Sequence, residues 1–93
     1  MIVSYLISII IPYVNTTEED DYYNRLYKQL MKDRFIKDAV TSAKVVMDST
    51  TLSIERKIEY LNNLLENEKY QYNNNAQTFF RMSLERVLEQ LDK

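Results

Sequence analysis

The sequence predicts an all-α protein, a small bundle of about four helices, and three observations carry that prediction. The 93 residues include no glycine, no cysteine and a single proline. Average glycine usage is about 7%, and sheets, hairpins and nucleotide loops depend on glycine for positive-φ turns. Helices need it chiefly just past their ends, where asparagine substitutes. Second, apolar residues recur in several runs at 4-3-4 spacing, the period of one helix face. Third, those runs are divided by short Asn-, Ser- and Thr-rich stretches, none long enough to separate domains. Residues 1–93 therefore read as one helical domain.

The chain opens on an uncharged, largely apolar run, Met1 to Val14. It is shorter than the roughly 20 residues a membrane-spanning helix needs. It also lacks the positive flank and small-residue cleavage site of a secretory signal, so a cytoplasmic protein with no membrane contact is expected. The run is expected to be a helix ending before Pro12, or a helix followed by an extended Ile11–Val14 tail. A segment apolar on all sides needs covering all round. The cover is either the core or a second copy, with Ile2, Val3, Leu6, Ile9, Ile10 and Tyr13 as candidate self-association residues. A domain this small, without disulfides or a thiolate metal site, commonly gains stability by oligomerising, and a homodimer is expected.

Thr16 with Glu19 matches a capping box, which starts a helix over about 17–32 and leaves Glu18–Asp21 in its first turns. Tyr23, Leu26, Tyr27 and Leu30 form its stripe. Ile36, Val40, Ala43 and Met47 form another over 34–48, rotated from the first. The charged Lys32-Asp33-Arg34 between them predicts a break or kink, with Asp33 capping the second piece. Ser49-Thr50-Thr51-Leu52-Ser53 marks a boundary, with Thr51 or Ser53 as the next N-cap. Ile54, Ile58, Leu61 and Leu65, widened by Leu64, then predict a helix over 53–72. The stripe Phe80, Leu84, Val87 and Leu91, over 76–91, is one residue out of phase with it. Asn73-Asn74-Asn75 is expected to supply the reset, either through left-handed asparagine at a helix end or through a stutter in one long helix. Phe79 and Met82 flank the last stripe, available to a neighbour.

Missing atom types narrow the function. With no histidine or cysteine, Ser-His-Asp, Cys-His, zinc-finger and zinc-hydrolase sites are excluded. With no glycine, neither a P-loop nor a dinucleotide fingerprint nor a nucleophile elbow is available. Glu18–Asp21 are consecutive and point in different directions along a helix, so they do not form a cation cage. A non-enzymatic protein with no metal or cofactor is expected.

The positive signal is charge distribution. Residues 22–47 hold six bases (Arg25, Lys28, Lys32, Arg34, Lys37, Lys44) against Asp33 and Asp38, within a chain of net charge −2. Between Tyr22 and Lys37 bases alternate with aromatics. Tyrosine and arginine are enriched at protein–protein hot spots, so Tyr22, Arg25, Lys28, Lys32, Arg34 and Phe35 are the candidate residues for docking on a larger protein partner. The same alternation suits phosphate contact and base stacking, which makes nucleic-acid binding the second reading. A self-assembling scaffold component is the third. Usage is rich in Asn, Tyr, Ile and Lys and poor in Ala, Gly and Pro, the bias of AT-rich coding. A regulator or inhibitor encoded by a virus, phage or mobile element is the expectation.

Overall fold

The computed structural model describes residues 12–92, with side chains from Asp20 to Leu91. Among these residues are four α-helices, no strand, and a closing 3-10 turn. Helix α1 spans Pro12–Leu30, α2 Lys37–Asp48, α3 Ile54–Glu66 and α4 Asn74–Glu89, and the 3-10 turn spans Gln90–Asp92. The all-α bundle is thus present, and each boundary has a local cause.

Helix α1 departs from expectation at its start. Pro12–Val14 are helical, not an extended tail, and the helix runs through Thr16 without a boundary there. Proline lacks an N–H that the first helical turn does not use, so Pro12 suits the first described turn of this helix; the helix expected before Pro12 lies outside the described residues. The Thr16–Glu19 capping box is accordingly not a helix start, and no acid occupies the first turn. The self-association candidates Ile2, Val3, Leu6, Ile9 and Ile10 lie outside the described residues, and of Tyr13 only the helical backbone is described.

The break at Lys32–Arg34 is present, and Asp33 makes it as a turn and not as the expected cap: the N-cap of α2 is Ile36, with no side-chain cap bond, and the helix starts at Lys37 instead of 34. The end of α1 tightens as Asp33 N donates to Leu30 O (3.0 Å), and Asp33 O then accepts from Ile36 N and Lys37 N (3.2 and 2.9 Å). The Asp33 carboxylate accepts from Phe35 N at 2.9 Å, an Asx turn that competes with helix continuation. At the next boundary Ser49 Oγ accepts from the amides of Thr51 and Leu52. Ser53, not Thr51, is the N-cap of α3, accepting from Arg56 N at 3.2 Å.

Helix α3 ends at Glu66, six residues before the expected 72, and a turn from Asn67 to Asn73 resets the register. Asn67 Oδ1 accepts from Lys69 N, and Asn73 Oδ1 caps α4 by accepting from Ala76 N, both at 2.9 Å. None of the described residues has positive φ. Asparagine acts here through its side-chain oxygen and not through a left-handed backbone.

Successive helices are antiparallel. Residues 23, 27 and 31 of the first segment meet 47, 44 and 41 of the second. Tyr23 and Tyr27 of α1 meet Ser83 and Phe79 of α4. Lys57 and Leu65 of α3 meet Gln90 and Gln77. The turns 31–36 and 67–73 therefore share one pole, and the 49–53 loop and the 3-10 turn share the other. Helix α4 packs on all three others, and the core follows from that. Ala76, Phe79, Phe80, Ser83 and Val87 of α4 are fully buried. Around them lie Tyr23, Leu26 and Leu30 of α1, Ile36, Ala39, Val40, Ala43 and Met47, and Leu61 and Leu64 of α3. Phe79, expected to flank the stripe, is its centre: its ring stacks on Tyr23 (4.6 Å) and Tyr27 (5.8 Å) and meets Phe80 edge-on. Leu91, expected in the stripe, is exposed. A helix that touches three neighbours buries a wider arc than a 4-3-4 seam provides.

One core member is charged. Lys57 is 4% exposed, and its Nζ donates to Met47 O (3.1 Å) and Gln90 Oε1 (3.3 Å). A cation at the last carbonyls of α2 is favoured by that helix's dipole, and the ammonium ties the ends of three elements together.

Candidate partner-binding surface

Helix α1 presents two faces. Tyr23, Leu26 and Leu30 point inward, which turns Arg25, Lys28 and Lys32 to the opposite, solvent side; all three are exposed. Tyr22 lies at the edge between the two faces, partly exposed. Beyond Lys32 the chain turns, and Arg34 and Phe35 continue the exposed surface around the pole. All six candidate residues are therefore at the surface, five of them in sequence from the solvent side of α1 into the turn. Among the described residues the ion pairs are Lys44–Asp48 and Arg86–Asp20, and neither uses a base of this strip. Arg25 Nε makes only a long contact to the Asp21 carbonyl (3.4 Å).

Phe35 has the unusual setting. It is 90% exposed although its backbone is held by the Asp33 carboxylate. A large apolar ring on an ordered turn contributes nothing to the core. Tyr72, in the 67–73 turn at the same pole, is 93% exposed and was not among the sequence candidates. No sequence signal set it apart, since Ala76 and Phe79 stand at helical spacing from it.

The other tyrosines of the basic–aromatic run are committed inward. Tyr23 Oη shares a 2.7 Å hydrogen bond with Ser83 Oγ and donates to Met47 Sδ at 3.4 Å. The Arg86 guanidinium lies 4.4 Å from its ring centroid, a cation–π arrangement. Burial pushes the Tyr23 phenol up to about 12, against the lowering effects of the Ser83 hydrogen bond and Arg86. It is a neutral structural hydroxyl and no acid–base group at ordinary pH. Tyr27 is half-buried against Phe79.

Among the described residues no group of three or more carboxylates is placed to hold a metal ion. No described helix is long and apolar enough to cross a membrane. Comparison with protein-family models, characterised proteins and solved structures returns no match. The surface itself carries the functional reading.

Proposed function

We propose that this protein acts by docking on a larger protein partner through Tyr22, Arg25, Lys28, Lys32, Arg34 and Phe35, as a regulator or inhibitor and not as a catalyst. The observation that supports it most is Phe35, 90% exposed on a turn held by Asp33. Leaving such a ring in water forgoes about 2 kcal/mol of burial, and an ordered aromatic flanked by cations is the composition of an interface hot spot. The strip of bases beside it, which enters no ion pair among the described residues, selects a partner with an acidic rim around an apolar pocket. AT-rich residue usage fits a virus, phage or mobile element as the source, with the partner in the host cytoplasm.

Nucleic-acid binding is the weaker reading. Tyr23 and Tyr27 stack on Phe79, so the aromatic platform that bases would need is reduced to Tyr22 and Phe35.

A photo-crosslinking residue at position 35, with one at exposed Glu85 as the control, tests the proposal. A discrete protein adduct from position 35 alone, lost when Arg25, Lys28 and Lys32 are reversed to glutamate, is expected. Tight, salt-steep binding of RNA or DNA lost in that same triple variant would overturn it in favour of nucleic acid.

A further inference from the structure

A second surface lies between the end of α2 and the solvent side of α3. Val46, Leu52 and Tyr60 line an open apolar groove there, together with Arg56, Glu59 and Asn63. Leu52 and Tyr60 are 41% and 37% exposed, and Val45 beside Val46 is more exposed still. None of these residues belongs to the α1 strip. The packing of the described residues leaves the groove uncovered by any other helix, since α1 packs on α4 and α2.

Its charge pattern is specific. Arg56 and Glu59, three residues apart on α3, both line the groove, one of each sign. Neither takes part in an ion pair among the described residues. Such a pair is self-complementary. A two-fold axis crossing α3 between them sets each Arg56 opposite Glu59 of the second copy, and the antiparallel register then sets Leu52 of each copy beside Tyr60 of the other, one apolar cluster on each side of the charged centre. A contact of this kind is isologous, the same patch on both sides, which is how two-fold dimers are built. An acidic or a basic foreign partner would satisfy one of these charges and oppose the other; a second copy satisfies both.

We infer that the α2–α3 groove is a homodimer interface, with Arg56 and Glu59 setting its antiparallel register and Tyr60 packing against Leu52 of the second copy on either side. The dimer leaves the Arg25–Phe35 surface free on each copy.

Charge reversal tests it on the full chain, with sedimentation equilibrium as the readout and thermal melts to establish that each variant folds. Arg56 and Glu59 are exposed, so reversal leaves the core intact. Arg56→Glu and Glu59→Arg each place two like-charge contacts in the dimer and are expected to weaken it about tenfold or more. The double variant Arg56→Glu/Glu59→Arg exchanges the signs and restores wild-type dimerisation. Tyr60→Glu gives a folded monomer. A chain that is monomeric at high micromolar concentration would overturn the inference. So would a dimer indifferent to both single reversals, which would put the interface elsewhere, or a double variant no better than the singles.

Discussion

The same substitution at two phenylalanines separates packing from display. Phe79 is fully buried against the rings of Tyr23, Tyr27 and Phe80, whereas Phe35 is 90% exposed. Phe→Ala in a packed core costs about 3–5 kcal/mol through lost transfer energy and the cavity left behind. Each aromatic pairing adds about 0.5–1.5 kcal/mol beyond its area, which places Phe79→Ala in the upper part of that range, about 4–5 kcal/mol. A domain of this length has roughly 5–14 kcal/mol in all, so the variant folds only marginally. With a urea slope of about 1.5 kcal/mol/M the midpoint falls by about 3 M. Phe35→Ala, by contrast, stays within about 0.5 kcal/mol of wild type. Urea titration followed by far-UV circular dichroism measures both. A fall of less than about 1 M for Phe79→Ala would refute the placement of that ring at the centre of the core. So would a Phe35→Ala variant as damaged as Phe79→Ala.

Four further outcomes follow from the geometry. Tyr23→Phe leaves Ser83 Oγ buried without its 2.7 Å partner and should cost about 1–2 kcal/mol, while Tyr23→Phe/Ser83→Ala should cost less than the two singles added, as a double-mutant cycle by denaturation would register. Stability should fall between about pH 10 and 12 because the unfolded Tyr23 ionises at its ordinary value while the folded phenol, raised to about 12, does not. That contribution is complete below pH 10 and lost as pH rises through the folded value; the wild-type minus Tyr23→Phe difference against pH isolates it, and a flat difference would contradict burial of the hydroxyl. Ser53→Ala and Asn73→Ala each remove an N-cap bond and should lower stability by about 1 kcal/mol in thermal melts. Lys57→Ala, which deletes both the stem and the bonds to Met47 O and Gln90 Oε1, should destabilise by about 2 kcal/mol, and Lys57→Met by less, because the stem's packing is kept.

Much of the fold is legible in the chain because boundary signals and stripes agree. Asp33 breaks a helix and Ser53 caps one where their side-chain oxygens meet free amides, and the stripes of α1 and α2 turn to the core while that of α3 is only partly buried at Ile54, Ile58 and Leu65. What was not legible has physical causes. Phe79 was read as flanking the stripe, available to a neighbour, and not as its centre, because a seam of heptad width suits a helix with one neighbour, and α4 has three. Ala76 and Ser83 are fully buried because small side chains let those helices approach, a preference invisible to a count of large apolar residues. Lys57 sits at 3-4-3 spacing with Ile54, Leu61 and Leu64, so position alone marks it as inward. Only the charge spoke against burial, and the carbonyl at the end of α2 answers that charge. At the candidate surface, the exposure of Tyr22, Arg25 and Lys28 follows from their phase on α1 and that of Lys32, Arg34 and Phe35 from the turn beyond it, but Tyr72 could join them only once the two turns were known to share a pole.

The place of α4 in the chain also bears on how the protein is made. The helix on which the other three pack is the last of the four to leave the ribosome. At about 5–20 residues per second, its 16 residues take about 1–3 s to synthesise. Until then, the faces that α1, α2 and α3 turn towards α4 have nothing to rest on. Tyr23 and Tyr27, which stack on Phe79, lack that ring during the interval. A message that stops before Asn74 yields three amphipathic helices without the helix on which all of them pack. Quality control then acts on a simple criterion, whether the last helix arrived.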